Sequence, residues 1–160
     1  MKSTLLDKIR TRKAHVGVIG LGYVGLPLVV EFAKAGLETV GFDINTDKVK
    51  QIARGESYIS DVSTEEVQAI TRSGHLTATT DFSLLATTDT VNICVPTPLR
   101  KTKDPDLSYV VSAVDEIAKY LHPGQLIILE STTYPGTVDE VVQPKLEANG
   151  LRAGTDFFLA

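Results

Sequence analysis

Short, unbroken apolar runs alternate along this chain with stretches whose apolar positions recur every three or four residues. His15-Val-Gly-Val-Ile19, Glu38 to Asp43, Leu76 to Thr79, Thr90 to Val95 and Gln125 to Glu130 are too short for helices and are bounded by glycine, proline or polar residues, so they read as strands. Between them the helical period predicts a lead-in helix from Ser3 to Arg12 (Leu5, Leu6, Ile9) with Ser3 as N-cap, and a helix from Tyr23 to Ala35 ended by Gly36. Asn45 caps a third that runs through Val49, Ile52 and Ala53 to Gly55. Ser63-Thr-Glu-Glu66 is a capping box that opens a helix from Thr64 to about Ser73. A short turn or helix follows at Asp81 to Ala86. Asp106 caps a helix with Val110, Val114, Ile117 and Leu121 on one face, and a last helix starts near Pro135 and reaches about Glu147. Asp156-Phe-Phe-Leu-Ala160 reads as the start of another buried strand, from which the chain is expected to continue beyond Ala160.

Strands alternating with helices imply right-handed crossovers and an α/β fold, a doubly wound parallel sheet with helices on both faces. Residues 1–14 are the helical lead-in and 15–160 the folded domain. In such sheets ligands sit outside the carboxyl ends of the strands. The 160 residues are 42% hydrophobic, which suits one globular domain. Twenty acidic against sixteen basic residues, with no long basic block, offer no footprint for nucleic acid or an anionic membrane. The lone Cys94 excludes an intramolecular disulfide and fits a reducing, cytoplasmic setting. The uncharged run Val16 to Val30, preceded by Lys8, Arg10, Arg12 and Lys13, imitates a secretory signal, but its four glycines and proline fit neither that nor a span of roughly 18 apolar residues. His15, His75 and His122 form no ligand pair, so no metal is expected.

The glycines explain that run better. Gly20-Leu-Gly22-Tyr-Val-Gly25 follows a strand and opens a helix, the context in which GxGxxG binds a dinucleotide in a Rossmann-type domain. Gly20 permits the tight turn, Gly22 lets backbone approach a pyrophosphate, and Gly25 lets the helix pack close to the sheet. The helix N-terminus then offers free amides to the phosphates. Tyr23 and Val24, inside the loop, are candidate cofactor contacts, although a packing role suits Tyr23 equally. About twenty residues after the glycines, Asp43 ends the second strand where a carboxylate accepts from ribose hydroxyls and repels a 2′-phosphate, favouring NAD over NADP. It could instead be only a turn residue before Asn45. Lys48 either holds the adenosine end or decorates a helix.

Gly17 to Gly25 with Leu26-Pro27, Gly41-Phe-Asp-Ile-Asn45, Gly55-Glu-Ser-Tyr-Ile59, Cys94-Val-Pro-Thr-Pro98 and Glu130-Ser-Thr-Thr-Tyr-Pro-Gly136 together resemble the N-terminal NAD-binding domain of the UDP-glucose/GDP-mannose dehydrogenase family. The Gly55 to Ile59 stretch is most similar to the branch acting on UDP-N-acetylhexosamines. The resemblance implies NAD as cofactor, with Gly20, Gly22, Gly25, Asp43 and Lys48 in the family's binding positions. It also implies that Val95, Pro96, Thr97 and Pro98 pass beside the cofactor. Thr132 matches the threonine that helps hold a water or hydroxyl near the reacting carbon. A hydroxyl there can position or relay a proton without being a base. Alternatively Ser131, Thr132 or Thr133 caps the following helix.

Members of this family oxidise the C6 alcohol of a nucleotide sugar twice, to the carboxylate, through a thioester on a cysteine and with a lysine, asparagine and aspartate from later segments. None of these lies within the 160 residues, so the chain alone is expected to bind cofactor without turnover. Cys94 is not at the family's nucleophile position, and burial in an apolar strand disfavours its thiolate. The resemblance further implies a UDP-sugar substrate, a homodimer or higher oligomer for the full protein, and supply of sugar acids to bacterial surface polysaccharides. The UDP-glucose branch, an NAD-sensing module without catalysis and a methyltransferase are the alternatives, the last disfavoured by the third glycine.

Overall fold

The computed structural model describes residues 1–101 and 104–160. Six parallel strands form one sheet in the order β3-β2-β1-β4-β5-β6, with β1 His15–Ile19, β2 Glu38–Phe42, β3 Leu76–Thr79, β4 Thr90–Ile93, β5 Leu126–Leu129 and β6 Phe158–Leu159. The register sets His15 beside Glu38, Val16 beside Thr90, Thr90 beside Leu126 and Leu126 beside Phe158. Chain order reverses between β1 and β4, so their carboxyl ends splay apart and leave a crevice there.

Every residue of β4 is buried, as a strand covered on both faces requires. Successive side chains alternate between two apolar clusters. Val16 and Val18 pack with α2 (Gly25–Lys34), α3 (Thr46–Ala53) and α4 (Thr64–Arg72) on one face. Ile19, Val91 and Ile93 pack with α5 (Ser108–Tyr120), α6 (Gln143–Glu147) and the 3-10 turn Phe82–Thr87 on the other. The doubly wound parallel sheet expected from the alternation of elements is the fold observed. Among the described residues no helix is long and apolar enough to cross a membrane.

Local chemistry accounts for most boundaries. Asn45 Oδ1 accepts from the amides of Asp47 and Lys48 at 2.9 and 3.3 Å and starts α3. Ser63 and Glu66 form the full capping box of α4, at 3.2 Å one way and 2.9 Å the other. The expected Asp106 cap is corrected: Leu107 holds the N-cap position of α5 without a side-chain cap. The Asp106 carboxylate, one residue earlier, accepts from the Ser108 amide at 3.0 Å, a bond that, helped by Arg100, holds its pKa below the usual carboxylate range.

Three further expectations are corrected. Helix α1 (Lys2–Arg10) begins one residue before Ser3, with no side-chain cap, so Ser3 lies inside it. Leu5 is buried and Lys8 Nζ meets Asp89 at 2.6 Å, so the lead-in is fastened to the domain. Helix α2 starts at Gly25, which leaves Tyr23 and Val24 in the turn before it. The last helix begins only at Val138, as a π turn through Val142 that passes into α6. Pro144 has no N–H for the Glu140 carbonyl, and a wider turn precedes it.

Candidate functional site

The crevice between β1 and β4 is floored by the glycine turn. Gly20 has φ +91°, and a Cβ there would lie 2.7 Å from the Cys94 carbonyl oxygen. A Cβ on Gly25 would lie 1.7 Å from the Gly20 carbonyl oxygen, which α2 could not tolerate at its present distance from the sheet. These two glycines are required by the protein's own packing. Gly22 differs, because a Cβ there would meet nothing within 4 Å. Its bare backbone faces open space, as a turn that admits a ligand group requires.

That space belongs to two cavities of about 670 and 550 Å³, both lined by Gly22, Lys48, Val95 and Pro96. The first runs from Gly20 past Asp43 and Ile44 to Phe82 and Tyr109. The second runs past Tyr23, Val24 and Thr97 to Thr132. Every candidate residue named from the sequence therefore lines one cavity or both, except Gly25, which is buried beneath the turn, and Pro98, which lies outside both cavities. Two chambers meeting over a glycine turn at a helix N-terminus match a ligand with two bulky ends and an anionic middle.

Asp43 is 8% exposed, and both carboxylate oxygens already accept backbone bonds: Oδ2 from Leu21 N–H at 2.9 Å and Oδ1 from Asn45 N–H at 2.8 Å. The turn-residue reading is thus part of the truth. Oδ2 also accepts a long bond from Lys48 Nζ, Oδ1 keeps a lone pair, and the side chain, held in one orientation, still lines the first cavity. Lys48 Nζ stands 3.5 Å from Oδ2 and 5.8 Å from the centre of the Tyr58 ring, so it decorates no free surface. Tyr23 is 78% exposed, so it takes no part in the core of this domain.

On the β4 side, the Val95 carbonyl accepts from Ser131 Oγ at 2.8 Å, which ties the loop after β4 to the loop after β5. Burial, aided by the charge of Glu130, pushes the Cys94 thiol up to about 12, so it is inert near neutrality. Thr132 is exposed on the rim of the second cavity, and the helix after it has no side-chain cap, so the capping reading does not hold. Sequence reasoning missed the structural parts of Tyr58 and Ser131. It also missed Phe82, Tyr109 and Tyr120, which line the first cavity. Tyr58 was visible only as one letter of a motif, because its partner lies 37 residues away.

The chain matches the model of the UDP-glucose/GDP-mannose dehydrogenase family, NAD binding domain, over residues 14–160. It is 40% identical over 144 residues to UDP-N-acetyl-D-glucosamine 6-dehydrogenase of Pseudomonas aeruginosa, covering 89% of this chain and 33% of that one. It is 39% identical over 152 residues to GDP-mannose 6-dehydrogenase of Pseudomonas syringae pv. syringae, covering 91% and 35%. The crystal structure of NDP-N-acetyl-D-galactosaminuronic acid dehydrogenase from Methanosarcina mazei Go1 superposes with a TM-score of 0.86 at 35% identity, over 97% of this chain and 36% of that one. The chain thus spans about a third of the length of these relatives. An open glycine turn, an acceptor at the end of β2 and a match that begins where β1 begins agree with one another, and this chain belongs to the UDP-glucose/GDP-mannose dehydrogenase family as its NAD-binding domain.

Proposed function

We propose that this domain serves an NAD-dependent 6-dehydrogenase that oxidises the C6 alcohol of UDP-N-acetylglucosamine or a related UDP-hexosamine to the carboxylate. The observation that carries the reading is the open space over Gly22, where the two cavities meet. NAD, when bound, supplies the hydride acceptor for such an oxidation. The chain's own part is to bind, orient and exclude water. Gly22 and the first amides of α2 take the pyrophosphate, with Gly20 and Gly25 shaping the turn. Asp43 accepts from the adenosine ribose hydroxyls and its charge opposes a 2′-phosphate, while Lys48 offsets charge where the cavities join. Tyr23, Val24, Val95, Pro96 and Thr97 wall the second cavity, and the two prolines keep that wall stiff. Thr132 holds a water or hydroxyl at the rim.

The Gly55 to Ile59 stretch supports the N-acetylhexosamine branch, as does the relative of Pseudomonas aeruginosa. In this reading the domain works within a longer homo-oligomeric protein in the cytoplasm and has no turnover alone. The test is the thermal midpoint of the chain with NAD, with NADP, and with NAD for Asp43→Ala. At 100 times the dissociation constant, NAD binding stabilises by about 2.7 kcal/mol, a rise of several degrees. A rise with NAD alone, lost in the variant, supports the site; equal responses to both nucleotides, or none, overturn it. Turnover by the extended protein on UDP-N-acetylhexosamine against GDP-mannose then tests the sugar nucleotide.

A further inference from the structure

The peptide groups on either side of Leu21 are each held by one side chain from elsewhere in the fold. The Leu21 N–H donates to Asp43 Oδ2 at 2.9 Å, and the Leu21 carbonyl accepts from the Tyr58 hydroxyl at 2.6 Å. Leu21 itself is fully buried against Gly41, where a Cβ would come within 2.7 Å of its Cδ2. Because a trans peptide is planar, with C=O and N–H pointing in opposite directions, a carbonyl fixed on Tyr58 aims the Gly22 N–H the other way. Among the described residues that N–H has no acceptor, and Gly22 lines both cavities.

We propose that Tyr58 is a positioning residue for the dinucleotide: its hydroxyl sets the plane of the Leu21–Gly22 peptide and so presents the Gly22 N–H to the anionic middle of the ligand. The inference rests on the dinucleotide reading of the site and adds a residue to it. The loop that carries Tyr58 is built to hold it. Ile59 and Val62 anchor that loop in the core, Ser57 Oγ accepts from the Ile59 amide at 3.2 Å, and the Ser57 amide donates to Thr64 Oγ1 at 3.3 Å. Lys48 rests over the Tyr58 ring, so the ring and the hydroxyl face different partners. Burial, with the Asp43 charge, raises the phenol above its ordinary pKa and keeps it a donor at any working pH. The motif around Tyr58 thereby acquires a physical task.

The test compares the chain with Tyr58→Phe, which keeps the ring and loses only the hydroxyl. Affinities for NAD, ADP and adenosine are measured by calorimetry, with the ligand-free thermal midpoint and the Gly22 amide resonance beside them. The expected result is about five- to tenfold weaker binding of NAD and ADP, the worth of one misaligned hydrogen bond, with adenosine changed less than twofold. The ligand-free midpoint should stay within a few degrees and the Gly22 amide signal should move. Unchanged ADP affinity overturns the proposal. So does equal weakening of all three ligands, or a variant that no longer folds, since either makes the hydroxyl a structural support. Failure of the unsubstituted chain to bind NAD or ADP would instead overturn the dinucleotide reading itself.

Discussion

Two carboxylates at opposite ends of the sheet show how one kind of side chain serves two purposes. Asp89, just before β4, accepts from the His15 amide at 3.0 Å and from Lys8 Nζ at 2.6 Å. Asp43, just after β2, accepts from two amides at 2.9 and 2.8 Å, with Lys48 standing off at 3.5 Å. Both are mostly buried and both stitch neighbouring segments together. At the amino end the chain turns most of its polar groups onto itself, although the buried Gln125 Oε1 has no partner among the described residues. Asp89 fastens α1 to β1, and the Gln125 side-chain amide donates to the Leu85 and Thr88 carbonyls and to the Thr88 hydroxyl. At the carboxyl end Asp43 borders a cavity, and the Gly22 N–H near it has no acceptor among the described residues. Parallel strands produce this asymmetry, since all their carboxyl ends lie on one side, where the chain turns into helix N-termini.

The sharpest way to break the comparison lies within the glycine turn. Gly25→Ala puts a Cβ onto the Gly20 carbonyl and should cost about 3 kcal/mol or more, seen as a large fall in thermal midpoint or loss of folding. Gly22→Ala should leave stability within about 0.5 kcal/mol while weakening NAD binding tenfold or more; a stability loss as large as that of Gly25→Ala would show that Gly22 is a packing glycine too.

Next come the carboxylates. Asp89→Ala leaves the His15 amide without its acceptor and should destabilise by about 1–3 kcal/mol with NAD affinity unchanged. Asp43→Ala should abolish the NAD-induced rise in midpoint. If both variants lowered NAD affinity alike, the two ends would not be functionally distinct.

Smaller effects follow from titration. The Cys94 thiol is held at about 12 by burial and Glu130, so the folded chain keeps a proton that the unfolded chain gives up near the ordinary thiol value. Stability should therefore fall as pH rises above about 9, and Cys94→Ala should flatten that fall in alkaline melting curves. Smallest is the cap of α4, where the contact with Lys34 and the bonds to Ser63 hold Glu66 at about 2. Its contribution is complete above the ordinary carboxylate range and disappears as pH drops through about 2. Glu66→Gln should show a shallower acid slope between pH 5 and 2 in circular dichroism; an unchanged slope would remove Glu66 from the acid response.

Much of this architecture can be read without coordinates. The bounds of β1 and β3 agree with the sequence residue for residue, because apolar runs punctuated by glycine, serine and aspartate leave little choice of register. The Ser63 cap and the Asn45 cap are equally local. β4 and β5 end earlier than their apolar runs, since the sheet gives out at the crevice before the hydrophobicity does. Thr132 shows the limit of such reading: a hydroxyl near a helix start resembles a cap, yet the helix begins six residues later. Tyr58 and Ser131 carry no local signal at all, because each acts on a carbonyl more than thirty residues away.

What the sequence determined by itself is the succession of strand, glycine turn and helix, with Asp43 at the end of the second strand. Those features depend on backbone allowance and periodicity over a few residues. Which glycine is free for a ligand was decided only in three dimensions. Gly20 and Gly25 are closed by the Cys94 and Gly20 carbonyls, and Gly22 is left open. The difference between Asp43 and Asp89 is of the same kind. It arises when β1 is inserted between β2 and β4, which brings the glycine turn, the Asp43 carboxylate and the Tyr58 hydroxyl to one peptide. Long-range packing makes that choice, because a hydrogen bond takes its partner from what the fold places within 3 Å and not from what the chain places nearby.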